Sequence, residues 1–131
     1  QASPDAKIWM SEFCILGDPG KARSFGGTGY DSSDMEFALH LARVMHRDLA
    51  RLNVSAWHWW LAITPYDYKD GLLKVSQSLE SSTVATTKAF WAFGNFSRFI
   101  RPGYTRVHVT DPDELTGLMV SAYKAPRKEE I

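Results

Sequence analysis

Three of the five tryptophans in this 131-residue chain fall within four positions, Trp57-His58-Trp59-Trp60. The surrounding run, Asn53 to Ile63, otherwise has the residues of a buried strand. Such strands normally use Val, Ile and Leu, because an indole is too large for every position and its N–H needs a partner. Strand alternation places Trp57 and Trp59 on one face and His58 and Trp60 on the other. Two roles fit equally well from these residues alone: stacking on the apolar C–H face of a sugar ring, or bulky core packing. A second chemical group stands upstream. Glu12 ends the run Lys7–Glu12, where a carboxylate is not needed for packing and where its burial would cost on the order of several kcal/mol unless paired. A carboxylate beside an aromatic sugar platform is what glycoside hydrolysis uses. A retaining pair stands about 5–5.5 Å apart, one nucleophile and one acid/base. Glu12 supplies a first carboxylate, the sequence offers no convincing second, and an ordinary solvated Glu is the plain alternative.

Composition narrows the classes. Fifteen basic and fifteen acidic residues balance, and the basic ones are dispersed, so no field favours nucleic acid or an anionic membrane. The longest apolar run, Ala56 to Ile63, is far too short to span a bilayer. Cys14 is the lone cysteine, so no internal disulfide forms and cysteine usage is silent about compartment. No signal peptide is visible. His40 and His46 are six apart on a helical pattern, off the spacing of a helical metal site, and His58 and His108 lack nearby partners. No metal and no cofactor are expected. Gly26-Gly27-Thr28-Gly29 matches neither phosphate-binding glycine pattern and reads as a rim loop. Asn53-Val54-Ser55 and Asn95-Phe96-Ser97 match the glycosylation sequon, but both fall where regular elements begin or run, which counts against occupancy.

The elements that must position these groups alternate. A strand over 7–12, with Ile8, Met10 and Glu12 on one face, precedes about twenty Gly-, Ser- and Asp-rich residues, roughly a long loop by domain standards. Ser33 is placed to cap a helix running from Asp34 to about Leu52, with Phe37, Leu41, Val44, Met45 and Leu49 as its apolar stripe. Only about one residue separates it from a strand over 54–62. A second long loop, 63 to about 82, leads to a helix over 84–100, which Pro102-Gly103 terminates. Both loops after strands are long and the one after the first helix is nearly absent. In (β/α)8 barrels and doubly wound sheets alike, function sits in the loops after the strands. After Gly103 the period becomes two, with strands expected over 105–110 and 118–123 around an Asp111-Pro112-Asp113 turn.

Three segments carry a resemblance: Ile8-Trp9-Met10-Ser11-Glu12-Phe13-Cys14, Ser55 to Gly71 (SAWHWWLAITPYDYKDG), and Gly94 to Gly103 (GNFSRFIRPG). In this order they resemble glycoside hydrolase family 30, and within it the fungal endo-β-1,6-galactanase type. The resemblance implies a retaining (β/α)8 barrel with a side β-sandwich, secreted, acting on a poly- or oligosaccharide. It makes 8–14 the seventh strand with Glu12 as nucleophile, and 55–62 the eighth. Trp57 and Trp59 would then bind substrate, while Trp60 points to the helices as core; Tyr66, in the polar, aromatic loop that follows, suits sugar contact and plain loop solvation equally.

The same resemblance defines what is missing. The family's acid/base lies in an Asn-Glu pair after the fourth strand, and no Asn-Glu dipeptide occurs in these residues. The expected architecture is therefore α/β: a partial barrel, the last two βα units, over residues 1–102, and the beginning of a β-sandwich over 103–131. Its partners would be the remainder of its own barrel and sandwich. The alternative is a non-catalytic carbohydrate-binding or structural module, in which Glu12 only accepts hydrogen bonds.

Overall fold

The computed structural model describes residues 5–15, 31–64, 70–76, 83–110 and 117–126. In chain order the elements are β1 (Trp9–Phe13), α1 (Met35–Ala50), β2 (Ala56–Trp59), β3 (Ile63–Thr64), β4 (Leu73–Val75), β5 (Val84–Thr86), α2 (Lys88–Ser97), β6 (Thr105–Val107) and β7 (Ala122–Lys124). β1 and β2 pair in parallel with α1 as the crossover between them, and α1 packs against α2. This mixed α/β arrangement puts a helix layer behind one face of the parallel pair.

The core follows from the helix stripe. Phe37, Leu41 and Met45 recur every fourth residue, so they share one face of α1, and all three are buried with Ile15, Leu72 and Ala89. Phe13, Trp57, Trp59, Phe90, Phe93 and Phe96 pack against that cluster. The buried face of α1 also takes in His46 and Asp48, whereas Val44 and Leu49 are only half-buried.

Helix ends differ from the expectation. Asp34, not Ser33, is the N-cap residue of α1, and its side chain makes no capping bond. Instead Asp31 folds the entry, accepting the Ser33 amide on Oδ1 at 2.8 Å. Lys74 of β4 donates to both Asp31 carboxylate oxygens, at 2.7 and 2.8 Å, and ties that turn to the next sheet. At α2 the expected helical start over 84–86 is a strand, since Val84 and Thr86 are β-branched and pair with β4. Thr87 separates strand from helix. Its hydroxyl donates to the Leu72 carbonyl at 2.8 Å and accepts the Phe90 amide at 3.1 Å, so one side chain caps α2 and pins it to the sheet.

The strand expected over 54–62 is interrupted. β2 stops at Trp59, the Trp60–Leu61 peptide is cis, and Ile63–Thr64 joins a different sheet in the order β3-β4-β5. Gly71 lies so close to Thr64 that a Cβ there would collide with the threonine methyl. After Gly103, which holds a φ of 86°, β6 and β7 pair antiparallel, with Thr105 opposite Lys124. Both strands are shorter than the period-two runs suggested, and the Asp111–Asp113 turn lies outside the described residues. No helix of the described residues is long and apolar enough to cross a membrane.

Candidate active site

The site is shaped by one irregularity in the parallel pair. Trp9 pairs with Ala56, Met10 with Trp57 and Phe13 with Trp59, so β1 takes three steps where β2 takes two. An extra residue in one strand reverses which face its later side chains occupy. Met10 and Phe13 thus both share the face of Trp57 and Trp59, and all four are half-buried. On the opposite face stand Trp9 and His58, with ring centroids 6.0 Å apart. By the same alternation Glu12, next to Phe13, joins them, as does Trp60. All four of these side chains are exposed, Trp9 by 64% and Trp60 by 51%.

The expected faces of β1 are therefore corrected. Met10 was expected beside Glu12 and with Trp9 opposite; the bulge moves Met10 to the helix side and Trp9 to the side of Glu12. Two backbone contacts hold the rim in register. The Trp60 amide donates to the Phe13 carbonyl at 2.9 Å, and His58 Nδ1 lies 3.1 Å from the Met10 carbonyl.

Trp57 and Trp59 are turned to the helices, and the expected facing of the tryptophans is reversed. Their indoles stack at 6.3 Å with an interplanar angle of 12°. Phe13 sits against both, Phe37 of α1 meets Trp59 edge-on at 5.9 Å, and Phe93 of α2 reaches Trp57 at 6.1 Å. Each indole N–H is already donated, Trp57 to Asp48 Oδ2 at 2.7 Å and Trp59 to the Asp70 carbonyl at 2.9 Å. On that side α1 and α2 supply the large aromatic partners Phe37 and Phe93. Trp60, expected against the helices, is the exposed one. Tyr66 lies outside the described residues.

Two carboxylates of the described residues are buried, and of these Asp48 is not marked out by the sequence. Asp48 is buried on α1, and its signal was the unmet need of an indole N–H for an acceptor one strand away. Asp70 is 1% exposed, its Oδ1 has no hydrogen-bond partner among the described residues, and burial pushes its carboxyl above the usual range. Cys14, just past Glu12, has its thiol pushed up by burial first and then by the charges of Asp70 and Glu12. A thiol held protonated in this way is a poor nucleophile. Among the described residues no three His, Cys, Asp or Glu side chains are placed to hold a metal ion.

Glu12 and Trp60, an exposed carboxylate and an exposed indole, stand together at the C-terminal end of the parallel pair. Residues 1–74 match the model of O-glycosyl hydrolase family 30. This chain belongs to that family. Among solved structures it is similar to a conserved exported protein from Bacteroides fragilis, at 29% identity and a TM-score of 0.67, over 92% of this chain and 26% of that one. It is equally similar to the catalytic domain of xylanase C, a family 30 enzyme from Talaromyces cellulolyticus, at 27% identity and a TM-score of 0.67, over 92% of this chain and 25% of that one. The chain thus spans about a quarter of the length of these structures. Its mixed α/β fold is similar to that of a family 30 catalytic domain.

Proposed function

We propose that this chain is the nucleophile-bearing part of a secreted, retaining glycoside hydrolase that cleaves β-1,6-galactan or a related β-glycan. In this reading residues 1–102 are the last two βα units of a (β/α)8 barrel, 103–131 begin a side β-sandwich, and the rest of both completes the enzyme. The observation that carries it is the position of Glu12: exposed, at the C-terminal end of β1, on the face that also presents Trp9, His58 and Trp60. The family match over residues 1–74 and the exported and xylanase neighbours support the reading.

The chemistry is double displacement. The Glu12 carboxylate attacks the anomeric carbon as the glycosidic C–O bond breaks, and an acid outside these 131 residues protonates the leaving oxygen. That second carboxylate, now ionised, takes a proton from water, which attacks the same carbon and releases Glu12. Trp60 is the proposed platform on this face. Galactose carries an axial C4 hydroxyl, which leaves the C3, C4 and C5 hydrogens on one side as an apolar patch for an indole. Trp57 and Trp59 serve the site from behind, as the packing that fixes the ends of β1 and β2.

The test is hydrolysis by the full-length protein, with β-1,6-galactan and xylan compared and Glu12→Gln beside the natural sequence. Turnover of galactan that is lost in Glu12→Gln supports the reading. Turnover of xylan alone moves the substrate to that of the fungal neighbour, and glycan binding without turnover in the natural sequence makes this a carbohydrate-binding module.

A further inference from the structure

We infer that Asn53 is an N-glycosylation site when the protein passes through a eukaryotic secretory pathway, and that Asn95, the other sequon asparagine, is not. Both lie in Asn-X-Ser sequons, Asn53-Val54-Ser55 and Asn95-Phe96-Ser97. The structure separates them.

Asn53 occupies the turn between α1 and β2 with a φ of 53°, a left-handed conformation that asparagine tolerates better than most residues. It is exposed, and so are its neighbours Leu52 and Ser55. The atom that takes the sugar is Nδ2, and the contact that Asn53 makes uses the other atom: Oδ1 accepts from Arg106 Nε at 3.4 Å. In the transfer Nδ2 bonds to C1 of a lipid diphosphate-linked oligosaccharide and gives up one proton to a base. The bond from C1 to the diphosphate oxygen breaks, and the lipid diphosphate leaves. The product keeps the Oδ1 acceptor, so the Arg106 contact survives modification. The backbone that holds the turn is also untouched, since the Val54 and Ser55 amides donate to the Asp48 and Ile8 carbonyls. Position matters as well. Asn53 precedes the N-terminal end of β2, whereas Glu12 and Trp60 stand at the C-terminal ends of the strands, so a glycan here leaves the rim open.

Asn95 is exposed as well, but its setting differs. It is in α2, and its Nδ2 is committed to the Trp91 carbonyl one turn back at 3.0 Å. Trp91 lies four residues before it and Phe99 four after it, and they are 63% and 62% exposed. Asn95 therefore sits in the middle of an apolar strip, of the kind that a larger protein covers with another of its elements. A hydrated oligosaccharide in that strip would oppose the cover.

The experiment is secretion of the full-length protein from a yeast host, followed by peptide mapping before and after peptide N-glycosidase treatment. The expected result is a glycan on the Asn53 peptide, absent in Asn53→Gln and in Ser55→Ala, with the Asn95 peptide unmodified. Ser55→Ala removes the sequon without changing the residue that holds the left-handed turn, so loss of the glycan there is not a folding artefact of Asn53→Gln. Secreted protein whose Asn53 peptide is unmodified, or whose Asn95 peptide carries the glycan, overturns the inference.

Discussion

Trp57 of β2 donates its indole N–H to the buried carboxylate of Asp48 on α1 at 2.7 Å, and this bond crosses from the sheet to the helix that connects its two strands. A hydrogen bond to a charged group contributes more than a neutral one, about 1.5–3 kcal/mol, and leaving a buried acceptor without its donor carries a similar penalty. Trp57→Phe in the full-length protein should therefore lower unfolding stability by about 2 kcal/mol, although most of the ring packing is kept. Asp48→Asn, which retains an oxygen acceptor, should cost less than Trp57→Phe. Equal, negligible losses in denaturant titrations of both variants would show that the bond does not hold the strand.

Trp59 and Trp60 are neighbours in sequence with opposite work. Trp59 packs on Phe13, Phe37 and Trp57, and truncating a large core aromatic costs about 3–5 kcal/mol. Its half-burial puts Trp59→Ala at the lower end of that range. Trp60→Ala should leave unfolding unchanged within about 0.5 kcal/mol, as surface substitutions do, and reduce kcat/KM for the glycan. A stable Trp59→Ala enzyme with impaired kinetics, beside a silent Trp60→Ala, would return the sugar platform to Trp59.

The parts legible in the sequence were those set by local pattern. The four-residue spacing of Phe37, Leu41 and Met45 identifies α1 and its buried face, and Pro102-Gly103 follows the end of α2. What was not legible depends on partners far along the chain. The bulge in β1 is a matter of register against β2, and nothing in Trp9–Phe13 alone reveals that Met10 and Phe13 share a face. That single step exchanged Trp9 with Met10, while the aromatic surfaces of α1 and α2 drew Trp57 and Trp59 inward. The strand over 84–86 was hidden because Val84-Ala85-Thr86 continues into an apolar helical run, and only pairing with β4 separates the two.

The Asp31–Lys74 bridge should be visible in acid. Burial raises the Asp31 carboxyl, but the Lys74 ammonium and the bonds from Ser33 outweigh it and hold the group below the usual carboxylate range. A depressed folded value means stability that is present above the unfolded value, about 3.9, and lost as pH falls through the lower folded one. Lys74→Met should remove that acid-dependent part, and about 0.5–1 kcal/mol at neutral pH, given that both side chains are partly exposed. Unfolding free energies with the same slope below pH 4 in both proteins would contradict this.

The 131-residue chain by itself should hydrolyse no β-glycan. Glu12 cannot both attack the anomeric carbon and protonate the leaving oxygen, and Trp91 and Phe99 remain uncovered. The measurement is reducing-sugar release from β-1,6-galactan and xylan by the purified monomeric chain. Turnover of either would mean that a second carboxylate of this chain completes the pair.

The role of Glu12 is tested most directly by trapping the intermediate. The full-length protein, incubated with an activated 2-fluoro-glycoside of the substrate sugar, should gain one glycosyl unit. Digestion should then place that unit on the peptide containing Trp9–Phe13, with the ester on Glu12 and no label in Glu12→Gln. A label on any other carboxylate, such as Asp67 or Asp70, would contradict the assignment of Glu12 as nucleophile.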